Sequence, residues 1–403
     1  MVILKQTQLP HAARLATISQ QLRGILIVSL LRALSSALLS PIIALFLKQF
    51  FPTDFLVSLI ITFSYLFDVI ATVYSSVIIE YLQKRKTMIL GLVLYTVVLI
   101  LFTISESSHA VLLLFVLYSF LFTLLFFGIS MYIDKLSSRE NIAKNFGENG
   151  VLLNIGWVVG PMLAGLIAEK FSFIEVFLLA SLFSFIALLI FVFSEPAERR
   201  HPEHHHVYIF RNIKNFFRAD LTRRLYWTGL GFSIFYGASA MIPLQLMHLG
   251  GTISQIGIII GLASLPWIIL ELPVGKWADK TKKEPRLFFL TYTLLAPAIF
   301  LLGLVRSLPL AFIFLLLTSV ATALSETTIQ SYFYRKFPQN SISLVSVFLT
   351  YSSFGLFLGT CLTTVALTIM PLSSFYMLLG VLLIPFIINA LRLEKSTLSN
   401  PKS

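Results

Sequence analysis

The chain has 403 residues, 57% of them hydrophobic and 12% charged, with a formal net charge of +12. A soluble globular domain carries about 25% charged residues, so this composition and a mean hydropathy of +0.89 exclude a water-soluble fold. The surplus Lys and Arg lie in short loops between apolar runs, where they act as topology signals and argue against a nucleic-acid partner.

Twelve apolar runs follow one another, each near the roughly 20 residues that cross a bilayer. Six lie near 22–47, 55–79, 87–105, 110–133, 150–168 and 173–193, and six near 225–247, 255–278, 287–305, 308–333, 342–369 and 372–392. Backbone polar groups in lipid must be satisfied inside each segment. The expected fold is therefore an all-α polytopic membrane protein with twelve transmembrane helices in two six-helix bundles. The bundles are residues 1–193 and 225–403, the second with a short cytoplasmic tail, and residues 194–224 form a central cytoplasmic loop. A polar tail of about twenty residues precedes a first run too long for a signal sequence, so no cleavable signal peptide is expected.

Ionisable residues inside apolar runs are costly unless they face a cavity or a partner. Arg32 in the first run and Asp68 in the second sit near mid-membrane with opposite signs. They are expected to form a buried pair or to take part in substrate binding or coupling. Ser29, Arg32, Ser36 and Ser40 share one helical stripe, which predicts a wet cavity rather than lipid. In the fifth run Gly156 and Gly160 permit close helix packing and Pro161 permits a bend. Spacing alone leaves packing and a hinge both open.

The central loop holds His201, His204, His205 and His206, read as a solvated loop in preference to a metal site. Phe210, Ile213, Phe216 and Phe217 alternate with Arg211, Lys214 and Arg218, the pattern of a short amphipathic helix on the inner surface. In the eighth run Glu271 precedes Pro273 and is either a second protonatable site or a support for the loop that follows. That loop has Gly275, Asp279, Lys280, Lys282, Lys283 and Arg286. Its glycine would let two helix ends approach closely, and its carboxylate would pair with a cation or helix N-terminus next door. In the tenth run Thr318, Thr322, Glu326 and Gln330 recur every four residues as one polar face, and Glu326 is a candidate proton carrier. The lone cysteine, Cys361, excludes an internal disulfide. No nucleotide-binding loop, nucleophile elbow or zinc-protease pair is present in the sequence, so no enzymatic activity, cofactor or metal is expected.

The halves repeat at an offset of about 200 residues: Pro41 matches Pro243, Gly156 and Gly160 match Gly355 and Gly359, and Glu80 matches Asp279. Six runs per half is an even number, so both copies enter the membrane in the same direction. With both termini in the cytoplasm, every Lys and Arg except Lys48, Lys170, Arg306 and Arg32 falls on the cytoplasmic side, and the positive-inside rule sets that orientation.

The stretch Gly275-Lys-Trp-Ala-Asp279-Lys-Thr-Lys-Lys283 resembles the glycine–aspartate–basic loop of the major facilitator superfamily. A degenerate first-half copy runs from Ser76 through Glu80 to Lys84, Arg85 and Lys86. Gly156-Trp-Val-Val-Gly160-Pro161-Met-Leu-Ala-Gly165 is similar to the glycine–proline motif of exporters in that superfamily. The resemblance implies a secondary active transporter in the cytoplasmic (inner) membrane, working by alternating access. It also implies a conformational latch at Glu80, Lys84, Arg85, Gly275, Asp279, Lys280 and Lys283, and a hinge at Gly156, Gly160 and Pro161. The superfamily lines its cavity mainly with the first, fourth, seventh and tenth helices, which makes Tyr118, Phe122 and Tyr236 candidate walls, with Trp267 beside them. Proton-driven drug exporters of the family often carry an arginine in the fourth span, and Leu112 to Tyr132 has no basic residue. The expected function is proton-coupled efflux of a small organic molecule by a monomer. The alternatives are uptake or facilitated diffusion of a sugar, metabolite or organic anion, and a non-transporting receptor or scaffold whose working part is the central loop.

Overall fold

The computed structural model describes residues 11–137, 141–194, 209–337 and 342–399. His201 and His204 to His206 lie outside the described residues, as do the side chains of Ser76, Glu80 and Arg211. The first half comprises α1 (His11–Leu39), α2 (Ile43–Phe50), α3 (Asp54–Leu82), α4 (Lys84–Ile104), α5 (Ser108–Leu136), α6 (Ile142–Lys170) and α7 (Phe173–Phe193). After α8 (Ile209–Arg218), the second half comprises α9 (Asp220–Ser239), α10 (Ile242–His248), α11 (Ile253–Ala263), α12 (Leu265–Thr281) and α13 (Glu284–Leu304). It ends with α14 (Leu308–Lys336), α15 (Ile342–Ala366), α16 (Leu372–Leu382) and α17 (Ile384–Ser399). No strand occurs among the described residues.

Among the described residues, eleven helical segments are long and apolar enough to cross a membrane, and α9 with α10, bent by 48°, makes a twelfth if the pair is one span. Both members of the matched proline pair stand at such a break: Pro41 between α1 and α2, Pro243 at the start of α10. Proline lacks the N–H that would continue the helix and crowds the preceding turn. Helix starts between spans are capped locally. Ser172 accepts from the Ile174 N–H at α7, and Thr252 and Gln255 cap α11 reciprocally, satisfying otherwise free helix donors.

The described residues form two compact units. One runs from α1 to Ile42 and again from Ile70 to α7. In it α1 packs on α5, α6 and α7, and α4 packs on α5 and α7. The other takes Ile43–Val69 and the chain from α8 onward. In it α9 packs on α15, and α13 packs on α14, α16 and α17. These span-to-span pairings correspond between the halves, which is the repeat expressed as packing. The N-terminal part of α3 is tied to α15 by hydroxyls: Ser58 and Thr62 each lie 2.8 Å from the Thr364 oxygen.

The repeated glycines make the tightest seams. A Cβ on Gly156 would lie 2.8 Å from the Ala33 Cβ, and one on Gly160 would lie 2.6 Å from the Ala37 Cβ. In the other unit, a Cβ on Gly355 would meet the Ser233 Cβ at 2.4 Å, and one on Gly359 the Ile234 carbonyl oxygen. These positions admit no side chain, as small-residue seams between membrane helices require. The α6 helix runs through Pro161 as one helix. The α8 helix forms as its pattern predicts, but it docks on protein. Phe216 is fully buried, with its ring against Phe217, Tyr226 and Phe333.

Candidate functional site

In the first unit, Arg32 projects from α1 and is 3% exposed. Its guanidinium carbon lies 4.9 Å from the Phe122 ring centroid and 5.7 Å from that of Phe126, one turn apart on α5. Tyr118, a turn earlier, stacks on Phe122 at 6.4 Å and on Tyr95 of α4 at 5.4 Å. The expected walls Tyr118 and Phe122 are therefore gathered around Arg32, and Phe126 and Tyr95 join them. Neither of these two was legible as special in so aromatic a chain. The serine stripe faces the protein interior. Ser29 and Ser36 are buried, and the Ser36 hydroxyl donates to the Arg32 carbonyl on its own helix at 3.0 Å. A helix carbonyl satisfies such a hydroxyl as well as water does.

Asp68 is buried on α3 in the second unit, and the Ser353 hydroxyl of α15 donates to its carboxylate. The partners of Arg32 and of Asp68 thus belong to different units.

The second unit gathers Tyr236, Trp267 and Glu326 from α9, α12 and α14. The Tyr236 hydroxyl donates to Glu326 Oε2 at 2.8 Å, and its ring meets the Trp267 ring edge-on at 5.9 Å. The Trp267 Nε1–H donates to Thr322 Oγ at 3.0 Å. Thr318 and Thr322 are buried and donate to carbonyls of their own helix, whereas Glu326 and Gln330 are exposed. The polar ladder is therefore open only in its second half. An ionisable carboxylate that is accessible in mid-span, bonded to a phenol and flanked by an indole, can exchange a proton or meet a polar ligand. Glu271 is half-buried on α12, one turn beyond Trp267.

The basic loop between α12 and α13 is held by a residue the sequence did not single out. Arg335, at the end of α14, pairs with Asp279 at 3.9 Å and with Glu284, the first residue of α13. Glu284 is 1% exposed and Asp279 stands largely in solvent. One guanidinium thus ties three helix ends, and Glu284 also sits where a helix N-terminus favours negative charge. Lys280, Lys282, Lys283 and Arg286 are exposed. Gly275 does not bring helices together: a Cβ there would meet nothing within 4 Å. Its expected role in close approach is corrected, because the helix ends are drawn together by the Arg335 ion pairs and not by a missing side chain. In the first copy, Lys84 and Arg85 are half-buried at the start of α4. Both copies place a residue of positive φ at the same point, Gln83 with φ 69° and Lys282 with φ 55°.

A second ionic group lies at the other end of the second unit. Asp54 accepts from Lys48 and lies 3.3 Å from His248 Nε2. These residues, with Gln245 and the stretch 367–373, line an open cavity of about 980 Å³.

Residues 25–360 match the family model of the Major Facilitator Superfamily. The chain belongs to that superfamily. As a superfamily member it is a multi-pass membrane transporter, as its composition and repeat predict. It is similar to the quinolone resistance protein NorA of Staphylococcus aureus strains Mu50 and N315, with 24% identity over 136 residues. That match covers 34% of this chain and 35% of those relatives. Among solved structures, it is similar to a POT family transporter in complex with 5-aminolevulinic acid (TM-score 0.79, 12% identity, 93% of this chain and 96% of that one). It is also similar to a POT family transporter in complex with a thioalcohol-conjugated peptide (TM-score 0.78, 13% identity, 94% and 99%). At these identities the structural likeness shows the major facilitator fold.

Proposed function

We propose that this superfamily member exports a small organic molecule in exchange for protons, with Glu326 carrying the proton. The observation behind this reading is the Tyr236–Glu326 hydrogen bond beside Trp267 in mid-span. It leaves a titratable carboxylate accessible inside a membrane-length helix. The export direction draws on the Gly156–Gly165 stretch and on the similarity to a protein named for quinolone resistance. Arg32, Asp68 and Glu271 are further candidates for substrate or coupling roles. The distribution of Lys and Arg supports cytoplasmic termini, and the superfamily resemblance supports the cytoplasmic membrane.

Uptake of an organic anion by the same fold is the second reading, favoured by the unpaired Arg32 guanidinium. The steady-state distribution of substrate in intact cells separates the two directions. In proteoliposomes, an imposed pH gradient should drive substrate movement, and Glu326→Gln should abolish that dependence. Coupling that survives Glu326→Gln would remove Glu326 from the mechanism.

A further inference from the structure

One closed set of contacts joins three helices of the second unit. Glu326 and Thr322 lie one turn apart on α14. Glu326 accepts from the Tyr236 hydroxyl of α9 at 2.8 Å, and Thr322 accepts from the Trp267 Nε1–H of α12 at 3.0 Å. The two aromatic rings meet edge-on at 5.9 Å, which closes the set. Thr322 is fully buried. Its own proton goes to the Thr318 carbonyl at 3.0 Å, which leaves its oxygen to accept from the indole. The same oxygen lies near enough to the Tyr236 hydroxyl to act on it.

Few other titratable groups surround Glu326. The α12 helix contributes Glu271, half-buried. The α13 helix contributes Tyr292, whose hydroxyl donates to the Thr228 carbonyl. The α15 helix contributes Tyr351, beside Tyr236, and α11 contributes none. Arg335, more than two turns further along α14, is held by Glu284. Among the described residues no Lys, Arg or His pairs with Glu326. The Tyr236 phenol is thus the hydrogen-bond donor to Glu326, and such a donor bonds a carboxylate more strongly than a carboxylic acid. How strongly depends on the distance and angle at which the ring is held.

We infer that Thr322 and Trp267 are positioning residues for the proton step: Thr322 holds the indole, the indole edge holds the Tyr236 ring, and the Tyr236 hydroxyl sets the pH range over which Glu326 takes up and gives off its proton. This rests on the reading of Glu326 as the proton carrier. The proton passes between the medium and Glu326, and Tyr236 keeps its own throughout. Tyr236 and Trp267 then belong to the coupling machinery and not to the substrate walls.

The test is infrared difference spectroscopy of the purified full chain in liposomes, titrated with pH and with no substrate present. The carboxylic acid C=O band that Glu326→Gln lacks is the Glu326 signal. Tyr236→Phe removes the hydroxyl and keeps the ring. It should move the midpoint of that band to higher pH by at least about one unit, the tenfold that a charge-assisted hydrogen bond supplies. Thr322→Val takes away the acceptor of the indole N–H, and Trp267→Phe takes away its donor. Each should move the midpoint in the same direction by less, whereas Thr322→Ser, which keeps the acceptor, should leave it in place. Thr322→Val added to Tyr236→Phe should bring no further shift, because the brace acts through the phenol. A threonine that only packs would change stability and leave the midpoint where it was. Thr322→Val and Trp267→Phe break one hydrogen bond from its two ends, so either one decides if the other does not fold. An unmoved midpoint in Tyr236→Phe or in these two variants, or a further shift in the double variant, overturns the inference and leaves the proton-carrier reading standing. The absence of any titrating band that depends on Glu326 is the separate failure of that reading, and the inference falls with it.

Discussion

Single residues show where chemistry was readable in the chain and where it was not. Tyr236, Trp267 and Glu326 stand out as polar or amphipathic groups in apolar runs, and the structure brings all three within contact distance. Gly156 and Gly160 stand out by spacing, and they meet Ala33 and Ala37 as closely as glycine allows. Gly275 has the same residue type and a stronger motif, yet no neighbour. A motif gives residue type but not what stands opposite. The difference predicts opposite outcomes for one substitution. Gly160→Ala forces a methyl into the Ala37 backbone and should lower stability by about 1–3 kcal/mol. Gly275→Ala adds a methyl in open space on a helix and should raise it by about 0.5–1 kcal/mol. Thermal unfolding midpoints of the two variants in detergent check both directions.

At the scale of elements, the ends of helices carry the structure that sequence reading missed. Neither Arg335 nor Glu284 stands out in the sequence. Their pairing depends on how α13 and α14 pack, which no local pattern reports. The ion pairs should be unequal in worth. Arg335→Ala leaves the Glu284 charge buried at 1% exposure and should cost about 3–5 kcal/mol. Asp279→Asn, at an exposed and longer pair, should cost no more than about 1 kcal/mol. Denaturation in a graded series of harsh detergent separates them, and equal losses would show that Glu284 does not depend on Arg335. The loop copies make a second prediction. Gln83 holds φ 69° and ψ 140°, a region that residues other than glycine adopt at a cost of about 1–3 kcal/mol. Gln83→Gly should therefore stabilise the chain, measured as a higher unfolding midpoint.

Across the whole molecule, the duplication was the most legible feature, because it repeats small and breaking residues at one offset. Pro41 and Pro243 stand at broken helices, and α1 on α6 matches α9 on α15. Gln83 and Lys282 both take a positive φ at the same step of the repeat. What the repeat does not convey is chemistry, since the halves differ at their polar centres: Arg32 among phenylalanines in one, Glu326 with a tyrosine and a tryptophan in the other. Two like-oriented copies place corresponding loops on one side of the membrane. With the lone Cys361 replaced by serine, Lys84→Cys and Lys283→Cys can each be probed in intact cells with a membrane-impermeant maleimide. Both should stay unlabelled until the membrane is opened and then react alike. Labelling of one in intact cells and protection of the other would contradict the duplicated, parallel architecture on which the transport mechanism stands.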